Sequence, residues 1–418
     1  MVQTNPRFAV IGAGIVGVCC ALRLQARGFD VCLFDPREPG SATSFGNAGV
    51  IADSFIMPYS TPGLWKQLPG MLLSGDGPLK VRWPYFVRGL PWLLRFMSEA
   101  RVDRTRQVAA ELATLGRLCQ SSHRELMREH DVDANLMKAN GVLKVYRDPR
   151  VIENHALEHE VLREHGFPVE VLDGDELRQL EPGLSREFRA AEFLPVMGQV
   201  AQSVKLTEAY FEAFVRLGGR HIKESARRFE MQSEGPKRLI TDLGIHDVDQ
   251  VLIAAGAWSR ELVNALGIDV PLDTERGYHI SVDWCDELVL NRPVMDGENF
   301  FVMAPMLDGV RVTSGTEIGG LSLPPDFSRV RRILGYARAS LPKLTGAVNR
   351  EWMGYRPSMP DSKPVIGRSP RHAGVFFAFG HGHLGLTQAA ITSKLIEELV
   401  MGVPTSVAVA PFSAERFA

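Results

Sequence analysis

Gly12-Ala13-Gly14-Ile15-Val16-Gly17 follows directly on the apolar run Phe8-Ala9-Val10-Ile11. This spacing suits the pyrophosphate of a dinucleotide. Gly12 permits a tight turn, Gly14 lets the backbone approach a phosphate, and Gly17 lets helix and strand pack closely. The helix that follows presents free N–H groups and partial positive charge to an anion. Asp35 closes a second apolar run, Val31 to Phe34. Its carboxylate can accept hydrogen bonds from a ribose 2′-hydroxyl and disfavours a 2′-phosphate. A glycine-rich turn alone carries little weight. Here strand, turn, helix, second strand and acid fall in the required order.

Other side chains could act on a substrate. Arg356 offers a rigid fork that matches a carboxylate bidentately, which lysine cannot reproduce. The competing reading is an ion pair that fixes a turn. Tyr278 is a second candidate donor to the same carboxylate, against the reading of a core tyrosine. Arg276, two residues earlier, shares its face in a regular strand. His381 and His383 flank Gly382. Histidines there could donate to developing negative charge, or simply bond within a loop. His155 and His159 have the i, i+4 spacing of metal ligands. No acid–histidine signature surrounds them, so a solvated helix face is expected and no metal.

These groups need a scaffold. A chain of 418 residues suggests two domains, or one large domain with another intercalated. The 45% hydrophobic and 23% charged content is an ordinary globular balance. A net charge of −2 supplies no basic field for nucleic acid. The five cysteines are odd in number, two are adjacent, and no CxxC pair occurs. That pattern fits neither a disulfide framework nor a zinc site, and it reads as thiols packed as small apolar residues in a reducing compartment. Arg7 followed by Phe8 to Leu22 has the outline of a secretory signal, but three glycines interrupt it, so a strand and a helix are expected there instead. No later run reaches the roughly 18 apolar residues of a membrane span.

Val251 to Ala254 and Phe376 to Phe379 read as buried strands that end in small-residue turns, the second leading into an apolar helix from about Leu386 to Leu399. Phe300 to Pro305 and Val310 to Ser314 flank Asp308-Gly309, a hairpin signal.

With Ser44-Phe45-Gly46-Asn47-Ala48-Gly49 the sequence resembles the flavin-dependent D-amino-acid oxidase superfamily, closest to the bacterial D-amino-acid dehydrogenases. Further motifs carry the likeness over nearly the whole chain: Gly198-Gln199-Val200 with a helix ending near Gly218-Gly219, Val251 to Ser259, Arg276-Gly277-Tyr278, Gly354-Tyr355-Arg356-Pro357, Pro364 to Gly367 and Gly380 to Thr387. The resemblance implies an α/β architecture. A doubly wound FAD domain is assembled from residues 1–55, 198–270 and 348–418, with a β-rich substrate domain from 56–197 and 271–347. It implies FAD held by Gly12, Gly14, Ile15, Val16 and Gly17. Asp35, Pro36, Arg37, Ser44, Asn47, Ala48 and Gly49 join them, as do Ala255, Gly256 and Trp258, and Gly382, His383, Leu384, Gly385, Leu386 and Thr387. It implies Arg356 as the substrate's carboxylate anchor, with Tyr278 and His381 as catalytic companions. The chain departs from the related dehydrogenases at His383 and Leu386, where they carry Thr and Trp. Neither of the known covalent flavin attachments has its residue here, so non-covalent FAD is expected.

The implied activity is oxidation of a D-amino acid or cyclic imino acid by hydride transfer from Cα to the flavin, with electrons passed to a quinone or another acceptor. An oxygen-using oxidase of glycine or N-methylated amino acids shares these motifs. A nicotinamide dehydrogenase would leave Ser44 to Gly49 and Gly380 to Thr387 without purpose. A flavoprotein subunit serving mainly as an electron-transfer partner is a third class. Gly63 to Ser98 holds three of the six tryptophans and five basic residues against Asp76 alone. Such a texture suits a peripheral contact with the inner face of the cell membrane, in a protein otherwise expected in the cytoplasm. The competing reading is a lid whose basic residues snorkel.

Overall fold

The computed structural model describes residues 6–63, 79–233, 235–284 and 290–417. The chain opens with β1 (Arg7–Ile11), whose last four residues are buried. Next comes α1 (Ile15–Ala26), buried from Ile15 through Leu24, as a helix apolar on all sides must be. Gly28, at φ +90°, ends it with a turn that a side chain would strain. β2 (Asp30–Phe34) then pairs in parallel with β1. Phe8 to Leu22 is thus spent on a strand and a core helix.

The chain crosses to a second sheet with α2 (Trp83–Ser98), β3 (Val142–Tyr146), α3 (Ala156–Glu164) and β4 (Ala190–Leu194). It returns through α4 (Ser203–Arg216), β5 (Arg220–Ile222) and β6 (Gln250–Ile253), and leaves again along β7 (Asp273–Val282), β8 (Gly309–Ile318) and β9 (Val348–Ser358). β10 (Val365–Arg368), β11 (Val375–Phe379) and α5 (Gly385–Met401) finish the first sheet and its cover.

The first sheet has the order β5-β2-β1-β6-β11-β10 and is parallel except for β10. Parallel strands need both faces covered, and α1 packs beside α4 and α5 on one face. There Arg23 of α1, 4% exposed, bonds Glu397 of α5 and Glu125 and Glu129 of the helix Cys119–Glu129. A buried cation is tolerable only when its charge is met this closely.

The second sheet runs β9-β7-β8, then Phe301–Met306, Val294–Asp296, β3, β4 and Glu170–Asp173. Phe301–Met306 and β8 form the hairpin expected around Asp308-Gly309. β9 differs from expectation. The sequence groups residues 348–358 with the cofactor segments, but β9 pairs along its whole length with β7, from Asp273↔Ser358 to Val282↔Val348. The long register decides, because ten paired residues outweigh the short chain distance to β10.

Cys19, Cys20 and Cys119 are buried free thiols and Cys32 is half-buried, while Cys285 lies outside the described residues. Of the stretch 63–98, residues 64–78 also lie outside them, including Trp65. No described helix is long and apolar enough to cross a membrane.

Candidate active site

The carboxyl ends of β1, β2, β6 and β11 open onto a cavity of about 730 Å³ that reaches across to the second sheet. This is where open parallel sheets bind ligands. The glycine loop forms one end. A Cβ on Gly12 would meet the Ala254 carbonyl oxygen at 2.5 Å, and one on Gly17 would meet the Gly12 oxygen at 1.9 Å. Those two glycines let β1, α1 and β6 close up. Gly14 caps α1 with no side chain, and the first turn contains no acid. The helix therefore points an uncompensated positive end at the cavity. Ser44 Oγ accepts the Ile15 N–H at 3.0 Å. Asp35 accepts from the Ala13 and Arg37 backbone, both at 2.9 Å, and still lines the cavity with Pro36 and Arg37. Arg37 lies 4.7 Å over the Trp258 ring, beside Ala255 and Gly256.

Ser44 to Gly49 folds on itself. Asn47 donates to the Ser44 carbonyl and accepts from the Gly49 N–H. Arg311 on β8 donates to the carbonyls of Phe45 (3.0 Å) and Asn47 (2.7 Å) and fixes the segment from the far side. Nothing local in the sequence announced Arg311. Its partners are 266 and 264 residues away.

The structure brings together at the cavity Gly12, Gly14, Ile15, Val16, Ser44, Asn47, Ala48, Gly382, His383, Leu384, Gly385 and Leu386. Gly17, Gly49 and Thr387 stand behind its wall. Gly49, at φ +69°, lies where a Cβ would meet the Val200 oxygen at 2.2 Å. Thr387 Oγ1 accepts the Ala52 N–H and donates to the Val50 carbonyl, tying the start of α5 to that edge.

At the second sheet Arg356 lies across β7. A Cβ on Gly277 would strike its guanidinium at 2.4 Å, so the glycine of Arg276-Gly277-Tyr278 makes its room. Arg356 donates to Thr316 Oγ1 at 3.3 Å, and among the described residues no carboxylate forms an ion pair with it. Glu275, its neighbour across the ladder, instead accepts from His383 Nε2 at 3.0 Å. Burial opposes ionisation of Glu275, but the His383 bond and the nearby cations outweigh it and hold its carboxyl below the usual range. His383 is pushed down by burial and by Arg356, against the pull of Glu275. The Tyr59 ring lies 4.5 Å from that imidazole. Its buried hydroxyl has no hydrogen-bond partner among the described residues, and burial followed by the charge of Glu275 raises its pKa well above the ordinary phenol value.

Tyr278 borders the cavity, but its hydroxyl is committed to Glu317 (2.8 Å) and to the Asp326 N–H. Arg276 is fully buried, shares Glu317 and donates to the carbonyls of Gly320, Leu323 and Pro324. The two residues do share a face, and that face serves the second sheet. His381 is pushed down to about 3 by burial, and its Nε2 lies 3.0 Å from Thr392 Oγ1 of α5. The sequence reading missed Tyr59, Glu275 and Thr316. For Glu275 the alternation of β7 was the available signal, since Glu275 and Gly277 occupy the face opposite Arg276 and Tyr278.

Residues 7–399 match the DAO family model, described as FAD dependent oxidoreductase. A curated D-amino-acid oxidase of Bradyrhizobium diazoefficiens is 32% identical, with 98% of each chain covered. A D-amino acid dehydrogenase of Cereibacter sphaeroides is 30% identical, over 98% of this chain and 95% of its own. Among solved structures, glycine oxidase from Geobacillus kaustophilus superposes with a TM-score of 0.75 at 22% identity, covering 98% and 99% of the two chains. L-Proline dehydrogenase from P. horikoshii gives 0.77 at 19%, covering 100% and 98%. At these identities the two structures speak for the fold.

Proposed function

Because this chain belongs to the DAO family of FAD-dependent oxidoreductases, we propose that it dehydrogenates a D-amino acid, including cyclic imino acids, and passes the electrons to a quinone or a similar acceptor. The observation that carries the reading is Arg356: a guanidinium in the cavity wall with one hydrogen bond and no carboxylate ion pair among the described residues. A half-buried cation left this open fits an anionic substrate group.

FAD supplies the hydride acceptor when bound. The glycine loop, Asp35, Ser44 to Gly49 and residues 382–386 suit its phosphates, ribose and ring, held without a covalent link. The cofactor unit is then residues 1–55 and 198–270 with the chain beyond β9, and β9 belongs with the substrate side. The chain's own residues do the rest. Arg356 binds the substrate carboxylate and Tyr59 offers it a second donor. The substrate ammonium must lose a proton before its lone pair can assist departure of the Cα hydride. In this reading His383, with Nε2 committed to Glu275, takes it at Nδ1. The wall excludes water from the reacting carbon.

One exposed surface fits the acceptor side. On α2, Trp83, Val87 and Leu94 are 81%, 80% and 56% exposed beside Arg88 and Arg95. We read this face as a contact with an anionic membrane surface, where quinones reside. The 32% identity to a protein named D-amino-acid oxidase favours a second reading, in which oxygen is the acceptor.

The test is anaerobic mixing of the purified holoenzyme with D- and L-amino acids, glycine and sarcosine, read by loss of oxidised-flavin absorbance. Bleaching by D-amino acids with slow recovery in air supports the proposal. Fast recovery with peroxide release moves it to the oxidase. Bleaching by none of them removes amino acids as the substrate class.

A further inference from the structure

Away from the cavity, two histidines and a buried acid converge. His155 closes the 3-10 run Pro149–His155, and His159 lies one turn later on α3. The sequence alone suggests a solvated helix face. The structure corrects that. Both rings turn inward to one oxygen of Glu192 on β4, with His155 Nδ1 at 2.8 Å and His159 Nε2 at 2.5 Å from Oε1. Glu192 is 2% exposed, and the two rings keep 24% and 19% of their surface in solvent.

We propose that His155, His159 and Glu192 form a binding site for a divalent transition ion, with Zn²⁺ the best-suited probe. Two imidazoles and a carboxylate are a common three-ligand set for zinc and leave a fourth position for water. The three ligand atoms already lie within 4.8 Å of one another. Zinc bonds of about 2.0–2.2 Å place tetrahedral ligands roughly 3.3 Å apart. The rings must therefore draw back by less than about 1 Å, and their exposed sides leave room for it. Imidazole ligands disfavour Ca²⁺ and Mg²⁺, which prefer all-oxygen sites.

The surroundings supply what such a site needs behind its ligands. Tyr146 donates to Glu192 Oε2 at 2.7 Å. Lys144 Nζ lies 3.8 Å from the same oxygen and 2.6 Å from Glu158. Both contacts fall on Oε2 and leave Oε1 to face the histidines. Partners of this kind orient a ligating carboxylate. Despite burial, the bonds from His155 and Tyr146 and the Lys144 charge hold the Glu192 carboxyl down at about 2. The ion would join α3 to β4. Lys144 also lines the cavity, which puts the site one residue behind the substrate wall.

The experiment is equilibrium dialysis of the untagged, FAD-loaded protein against Zn²⁺ at neutral pH, with bound metal counted by elemental analysis and thermal midpoints recorded with and without the ion. We expect one zinc per chain, a raised midpoint, and affinity at least about 100-fold weaker in His159→Ala. His155→Gln, at a partly exposed ring, is the second variant and should show the same loss while remaining folded. Zinc bound equally by the parent and both variants, or not bound by the parent, overturns the assignment.

Discussion

Arg356 has the most to lose by substitution. Its guanidinium is pushed below its ordinary pKa by burial, against the pull of Glu275 and Tyr59, yet arginine stays protonated at any working pH. Removing one partner of a buried charge pair costs about 2–5 kcal/mol. Arg356→Leu should therefore lower kcat/KM by roughly 30- to 5,000-fold. Arg356→Lys, which keeps the charge but loses the fork, should fall between. Flavin content should not change, because the cofactor loops lie elsewhere along the cavity. Anaerobic reduction rates against substrate concentration, with the flavin-to-protein ratio, measure both. Near-normal substrate capture by Arg356→Leu would remove the anchor. Arg356 was legible in the sequence because it stands inside a motif. Tyr59 was not, since a lone tyrosine in a loop acquires meaning only where His383 lies against it. Glu275 was not, since its partner is 108 residues away. Glu192 was hidden likewise, 37 and 33 residues from its two histidines.

At the scale of elements, α2 has two apolar faces. One is inward: Gly89, Trp92 and Met97 are buried, Trp92 Nε1 donates to the Ser358 carbonyl at the end of β9, and Tyr85 donates to Asp273. Residues 83, 87 and 94 recur at helical spacing on the other side, exposed and flanked by arginines. An exposed stripe of this kind costs hydration free energy unless something covers it. Trp83→Ser, Val87→Ser and Leu94→Ser together should weaken co-sedimentation with anionic lipid vesicles by about tenfold or more. Turnover with a soluble dye acceptor should stay unchanged, since none of the three lines the cavity. Equal pelleting of parent and triple variant would end the membrane reading and leave α2 as a brace for β9. The elements easiest to read were α1 and α5, whose regularly spaced apolar residues lie between glycines, Gly14 and Gly28 for the first and Gly385 and Gly402 for the second. β9 was harder. Its Gly354-Tyr355-Arg356-Pro357 motif sits near the C-terminal cofactor segment in sequence, while pairing with β7 decides its sheet. The face of α3 was harder still, because charged helices look solvated until the strand beneath them is known.

Across the whole molecule, several buried histidines are kept neutral. Burial pushes His123 down to about 4, and His279 and His381 down to about 3. His123 is held between the Tyr210 hydroxyl and the Leu386 carbonyl, so it joins the helix Cys119–Glu129 to α4 and α5. In the unfolded chain these rings take protons below about 6.5. As pH falls from there, the unfolded state binds protons that the folded state refuses, and stability drops until the folded pKa values are reached. Asp53 acts in the opposite sense. Burial raises its pKa to about 7, so between 3.8 and that value the folded chain keeps a proton that the unfolded chain releases. For these four groups alone, three protons against one leave a net two, or roughly 2.7 kcal/mol per pH unit between about pH 6 and pH 4. The unfolding midpoint in guanidinium, measured with saturating FAD, should therefore fall markedly from pH 7.5 to pH 5. His123→Gln should fall less steeply, by one proton. A midpoint that stays level or rises toward pH 5 would mean that these rings gain protons in the folded state. The packing of α5 on α4 would then have to be redrawn around a charged His123.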